Sequence, residues 1–114
     1  MRTVTLGVSS IEDTQHQMAA AFRGEKLGEF ISFVTVELLW KVLTAKRWDI
    51  LQAMTAQGEM TIREIARHVG RDVKAVHGDV QALVAAGVLD RTDSGHVIFP
   101  YDAVHVDFTL RKVA

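Results

Sequence analysis

The stretch from Thr61 to Gly87 constrains the fold of this chain more than any other. Thr61 precedes a short segment with helical apolar periodicity, and Glu64 lies three positions after Thr61. This is the pattern of a capping box at a helix start. Gly70 ends that segment, and a charged turn separates it from a longer helical pattern that ends at Gly87. The sequence therefore predicts a helix of about eight residues, a tight turn and a longer amphipathic helix.

The longer helix is followed by a further predicted element. At about 100° per residue, the apolar positions of the helix fall on one face. They are Val73, Val76, Val80, Leu83 and Val84. Next come two short apolar stretches on either side of a polar tip at residues 93–95, a spacing typical of a β-hairpin. Helix, turn, helix and hairpin in this order predict a winged helix-turn-helix over residues 35–100.

The flanking segments predict additional strands and helices. Period-two alternation indicates strands at 2–8 and 103–110, and another strand is expected at 30–34 after a turn-rich stretch. A capped helix is expected from residue 11 to about residue 23. Thr35 and Thr44 are each expected to cap a helix, the second continuing to Gly58, unless the two form one kinked unit. Trp40 is expected to help bury the first of these helices. Core packing is favoured for Trp40, Trp48 and Phe33 over the alternative, a small-molecule pocket.

Length and composition predict one α+β domain spanning residues 1–114. Within it, residues 1–34 form a strand-helix-strand extension suited to dimerisation, and residues 101–114 form a carboxy-terminal strand. The 114 residues are 48% hydrophobic and carry a formal charge of −1. The middle of the chain, residues 41–91, has eight Lys or Arg against six Asp or Glu, which permits a basic face without requiring one.

Several classes of function are disfavoured by what the sequence lacks. Without cysteine there are no disulfides, thiolate metal sites or cysteine nucleophiles. The five histidines are scattered, and no Gly-rich phosphate loop is present, so we expect neither a catalytic site nor a metal or cofactor. No apolar run reaches the length of a membrane span, and the first residues lack a signal-peptide layout. The expectation is a cytoplasmic protein that does not engage membranes.

The run from Thr61 to Arg91, TIREIARHVGRDVKAVHGDVQALVAAGVLDR, resembles the winged helix-turn-helix transcriptional regulators of the MarR-like group. More loosely, the whole chain is similar to small prokaryotic DNA-binding regulators. The positions that carry the resemblance are mostly fold-determining: Ile62, Glu64, Ile65, Ala66, Gly70, Val76, Asp79, Val80, Leu83, Gly87, Leu89 and Arg91. The resemblance implies sequence-specific binding of double-stranded DNA, with residues 73–86 as the recognition helix in the major groove and residues 88–99 as the wing.

Helical geometry selects the residues expected to touch DNA. Lys74, Gly78 and Gln81 point away from the apolar face, with Arg71 on their side at the helix entrance and His77 at the edge of the apolar face. Arg, Lys and Gln suit contacts with phosphates and base edges. The full set of candidates is Arg63, Arg67, Arg71, Lys74, His77, Gly78, Gln81, Arg91 and His96. The alternative is an ordinary solvated surface, and for Arg63 and Arg67 the two interpretations carry equal weight.

A homodimer is expected, because one winged helix makes few base contacts and two can read paired half-sites. The strands at 2–8, 30–34 and 103–110 are candidates for a sheet at the subunit interface. A rival interpretation is a winged-helix interaction module, such as an antitoxin-like or adaptor protein, whose outlying strands complete the sheet of a protein partner. The near-neutral charge favours this rival somewhat.

Overall fold

A short strand near the amino terminus lies at the centre of the sheet. The computed structural model describes residues 2–8 and 29–110 of the chain, so the helix expected over 11–23 lies outside the described residues. In chain order the elements are β1 (Thr3–Val8), β2 (Glu29–Phe33), α1 (Val36–Val42), α2 (Ala45–Met54), α3 (Ile62–Val69), α4 (Val73–Ala85), β3 (Asp90–Arg91), β4 (Val97–Ile98) and β5 (Ala103–Asp107). Helices and strands in separate stretches make the fold α+β.

β1 lies between two parallel neighbours, in the order β2-β1-β5. Its apolar residues Val4 and Leu6 are fully buried, and they alternate with more exposed threonines. A central strand needs such alternation when one face packs on a core. The strands predicted at 2–8 and 30–34 are therefore confirmed, and the three strands pair with one another within a single chain.

β5 is shorter than the sequence predicted. The alternation of Val104, Val106, Phe108 and Leu110 indicated a strand to residue 110, but β5 ends at Asp107, whose partner in β1 is Gly7. Phe108 and Leu110 beyond that point are 40% and 97% exposed. The apolar pattern thus continues past the last residue of β5 that β1 pairs with.

Helices α1 and α2 are two helices and not one kinked unit. The Thr35 and Thr44 side chains cap them by accepting hydrogen bonds from the amides of Leu38 (3.1 Å) and Arg47 (3.3 Å). The Arg47 guanidinium donates to the carbonyls of Lys41 (2.9 Å) and Val42 (3.0 Å), which satisfies the end of α1 where the chain turns into α2.

Two expectations for this region are wrong. Trp40 is 56% exposed and does not bury α1, because Leu39 is the residue of that helix that faces the core. α2 ends at Met54 and does not reach Gly58, since Thr55 leaves the helical conformation and Ala56 has a positive φ of 62°. The caps at the two helix starts depend on residues close in sequence. The side of α1 that faces the core depends on residues elsewhere in the chain.

One hydrophobic core joins the sheet to the helices and the hairpin. Its fully buried members include Val4 and Leu6 of β1, Leu39 of α1, Ile50 of α2 and Leu83 of α4. None of the described helices combines the length and the apolar character that a membrane span needs. Because the four helices, β1 and β4 all contribute buried residues to this core, α3 and α4 belong to the same packed unit as the sheet.

Candidate nucleic-acid interface

The predicted capping box holds the start of α3. The Thr61 hydroxyl accepts from the Glu64 amide (3.1 Å), and the Glu64 carboxylate accepts from the Thr61 amide (3.2 Å). That backbone hydrogen bond holds the pKa of Glu64 below its usual range. At the other end, Gly70 adopts the left-handed conformation with φ 67°, as a helix-ending glycine is expected to do. The boundaries of this eight-residue helix are confirmed.

Asp72 begins α4. Its carboxylate accepts from the amides of Lys74 (3.1 Å) and Ala75 (3.3 Å), so it is the cap of the longer helix. Val76, Val80 and Leu83 are fully buried on the inner face. The outer face of α4 is exposed and carries four of the expected contact residues: Lys74, His77, Gly78 and Gln81.

The predicted hairpin is present as the antiparallel pair β3 and β4. At its tip the Thr92 amide donates to the His96 carbonyl (2.9 Å), and Gly95 takes a positive φ of 82°. The hairpin is also joined to the start of α3, because Met60 and Val97 exchange two backbone hydrogen bonds of 2.8 Å. The tip is thereby held beside the first turn of α3.

The first turns of α3 and α4 and the hairpin tip enclose an open groove of about 710 Å³. Its lining residues are Thr61, Ile62, Arg63, Asp72, Val73, Lys74, His77 and Gly95. The structure therefore brings together three of the expected contact residues, Arg63, Lys74 and His77, although they lie on two different helices. His77 is exposed in the groove and not at the margin of the buried face.

The groove carries positive charge near two helix starts. The positive ends of two helix dipoles meet here, which favours an anion. The capping side chains of Thr61 and Asp72 already accept several of the free amides, however, and Asp72 adds a negative charge. Attraction of a phosphate to this groove therefore depends mainly on the exposed side chains of Arg63 and Lys74.

Arg71 does not lie on the exposed surface where the sequence predicted a contact with DNA. Its guanidinium is an ion-pair partner of Asp79 (2.8 Å), and Asp79 also pairs with Arg47 of α2 (3.1 Å). The three side chains are only 18–20% exposed. Burial by itself would raise the pKa of Asp79, but the hydrogen bonds from Arg71 and Arg47 outweigh it and leave that pKa below its usual range. Arg71 thus fixes the turn between α3 and α4 and does not line the groove.

The other expected contacts lie around the groove without lining it. Arg67 is exposed on α3 and Arg91 on β3. His96 is partly covered, with its Nδ1 atom 3.5 Å from the Glu59 carboxylate. Gly78 and Gln81 lie further along the exposed face of α4.

Val73 is the groove residue that the periodicity placed wrongly. It was expected on the buried face of the helix, but it is 43% exposed and lines the groove. Because it is the first residue of α4, no preceding turn covers it. An exposed valine at this point is suited to contact an apolar group such as the methyl of a thymine. The capping role of Asp72 just before it was the available signal that the helix starts here.

No group of three or more histidine or acidic side chains is placed to hold a metal ion within residues 2–8 and 29–110. A second, smaller cavity of about 120 Å³ lies between α2 and the segment containing Phe99 and Val104, with Trp48 at its margin. This volume is far below that of ordinary small-molecule sites.

Comparison with known proteins gives one finding about this region. The family model described as HVO_A0114 matches residues 42–106 of the chain. The matched residues include all of α2, α3, α4 and the hairpin, and therefore every residue that lines the groove. No curated protein matches the chain.

Proposed function

The chain belongs to the HVO_A0114 family, and we propose that it binds double-stranded DNA as a homodimeric transcriptional regulator of the winged helix-turn-helix type. The order α3, turn, α4 and hairpin supports this proposal, because it is the order in which such proteins present a recognition helix and a wing. In this proposal the recognition helix is α4, and the hairpin β3–β4 lies beside it as the wing.

The observation that carries the proposal is the groove between two helix starts and the hairpin tip. Arg63 and Lys74, from different helices, both line it, so two cations can meet the same stretch of phosphate backbone. Gln81, on the exposed face of α4, can form paired hydrogen bonds with an adenine edge. Val73 can form an apolar contact with the methyl group of a thymine. Arg71 holds the turn through Asp79 and makes no base contact in this proposal.

Phosphate contacts and base contacts predict different results, which makes the proposal testable. We expect Lys74→Ala to weaken binding of a random duplex about 3- to 10-fold, because a phosphate contact is lost and fewer counterions are released. The slope of log affinity against log salt should fall by about one unit. Gln81→Ala should leave that slope unchanged and reduce preference for a selected duplex. Fluorescence anisotropy at several salt concentrations measures both quantities.

Lys41→Ala is the matched control, because Lys41 is an exposed lysine on α1 that does not line the groove. Its affinity and salt slope should equal those of the parent. If Lys74→Ala and Gln81→Ala both bind a selected duplex as the parent does, the recognition surface is misplaced. If the parent does not bind duplex DNA at low salt, the protein-interaction alternative takes precedence; the formal charge of −1 is the observation that favours it.

A further inference from the structure

β5 is an edge strand whose apolar side is only partly covered. Among the described strands the order is β2-β1-β5, so none lies beyond β5. Val104 and Val106 pair with Val4 and Leu6 of β1 and share their face of the sheet. The two β1 residues are fully buried, whereas the two β5 residues are only partly buried. An edge of this kind is a ready template for pairing with another strand.

The hydrogen-bonding groups of β5 that point away from β1, and that pair with no other described strand, belong to alternate residues. The Ala103 amide donates to the Arg2 carbonyl on the β1 side. Because the direction of backbone groups alternates along a strand, the amides and carbonyls of Val104 and Val106 point to the other side, the edge away from β1. These two residues are therefore the ones at which another strand can be added.

We infer that this edge joins two copies of the chain, with β5 pairing antiparallel to β5 of the second copy about a two-fold axis at Val106. In that register Val106 faces itself, Val104 faces Phe108, and His105 faces Asp107, each of the last two pairs occurring twice. Both unlike pairs are complementary: one is apolar, and in the other an imidazole N–H can donate to a carboxylate.

The neighbouring registers lack this complementarity. Pairing centred on His105 sets two histidines against each other and leaves Asp107 opposite Ala103. Pairing centred on Asp107 sets two carboxylates against each other, which is destabilising. β2, the other outer strand described, has one charged residue, Glu29, so it cannot place opposite charges together in any register with itself.

A second copy also explains why the apolar alternation of β5 continues beyond the residues that pair with β1. Pairing with β1 ends at Asp107, but pairing about Val106 would continue to Phe108, which is 40% exposed and meets Trp40 edge-to-face with ring centres 6.0 Å apart. Sheet addition would place Val104 of the second copy opposite this ring. The inference concerns the dimeric part of the proposed function, and it can fail while DNA binding stands.

Single-cysteine variants test the register directly, because the chain has no cysteine of its own. Facing residues in a hydrogen-bonded antiparallel pair have Cα atoms about 5.5 Å apart, within the range that a disulfide spans. We expect Val106→Cys to give a covalent dimer under mild oxidation, seen on a non-reducing gel. Gln57→Cys, in an exposed loop, is the control and should run as a monomer on the same gel, because its cysteine lies outside the interface. Cross-linking of His105→Cys in place of Val106→Cys would overturn the register.

Charge exchange provides a second test that leaves the core unchanged, since His105 and Asp107 are both exposed. His105→Asp places like charges together twice and should weaken dimerisation about 10-fold by analytical ultracentrifugation. The double variant His105→Asp/Asp107→Lys should restore it, whereas Gln57→Asp should have no effect. A monomeric parent, or a double variant no tighter than the single one, would refute the interface.

The two proposals fail in different ways. Loss of the cross-link and of the charge effect in a protein that still binds duplex DNA would remove the interface and leave the proposed function. Dimers that show the cross-link and the charge effect but bind no duplex DNA would support the interface and remove the proposed function.

Discussion

Asp79 connects three segments that are far apart in the sequence. Its two carboxylate oxygens accept from Arg47 and Arg71, which lie at the start of α2 and in the turn before α4. Arg47 in turn closes the end of α1. The Nη1 atom of Arg71 is buried and has no hydrogen-bond partner among the described residues, so this guanidinium depends on Asp79 for its compensation.

Asp79→Asn is expected to lower the free energy of unfolding by about 2 kcal/mol at pH 7, because it leaves two largely buried guanidinium groups without a counter-charge. The pKa of Asp79 is lowered in the folded protein, so its contribution to stability is complete above the ordinary pKa of an aspartate in the unfolded chain. The contribution is lost as the pH falls through the lower, folded-state value. Urea unfolding at pH 7 and under strongly acidic conditions measures the difference between variant and parent.

Asp49→Asn is the control for this experiment, because Asp49 is exposed on α2 and forms no ion pair with another described residue. It should change stability by less than about 0.5 kcal/mol. A difference between Asp79→Asn and the parent that persists unchanged at the acidic end would contradict the role given to the Asp79 carboxylate.

At the scale of the element, α4 contains an interior glycine that its geometry does not require. A Cβ atom added to Gly78 would meet no atom within 4 Å, and its φ is not positive. Gly70 at the end of α3 has equally open space, but its φ is 67°. The two positions therefore differ in backbone conformation and not in packing.

This contrast predicts opposite effects of the same substitution. Gly78→Ala should stabilise the protein by about 0.5–1 kcal/mol through helix propensity. Gly70→Ala should destabilise it by about 1 kcal/mol, since alanine is strained in the left-handed region. Thermal and urea unfolding of the two variants measure these changes. Two changes of the same sign would show that the backbone argument fails.

Gly78→Arg extends the same reasoning to DNA. The side chain would project from the exposed face of α4, and we expect a gain in stability together with tighter, more salt-dependent binding of duplex DNA. A variant that is more stable yet binds a selected duplex more weakly would contradict this expectation, and would mean that the helix backbone approaches DNA closely at Gly78.

At the scale of the whole molecule, β1 links the sheet to the helices through one core. Leu6→Ala should lower the free energy of unfolding by about 3 kcal/mol, because it removes a fully buried side chain at the centre of the sheet. Since that core is shared, unfolding followed by far-UV circular dichroism should coincide with unfolding followed by the fluorescence of Trp40 and Trp48. Separate transitions would show that the sheet and the helices unfold independently.

The local parts of the fold were predictable, and the long-range parts were not. The caps at Thr35, Thr44 and Thr61 depend on residues within three positions, so the sequence displays them. Alternation marks a strand but does not name its neighbours, and the placement of β1 between β2 and β5 was not foreseen. The same limit explains the error at Arg71, which was expected to contact DNA but pairs with Asp79. Asp79 also binds Arg47, 32 residues away in the sequence, and no spacing rule connects these residues.

The paired hydrogen bonds between Met60 and Val97 have a consequence for the thermodynamics of binding. Met60 immediately precedes the cap of α3, so these hydrogen bonds join the hairpin directly to the start of that helix. A ligand that enters the groove meets walls already in position, and little conformational entropy is lost in arranging them. Its affinity should therefore reflect mainly the contacts themselves, because the ordering of the groove walls costs little free energy.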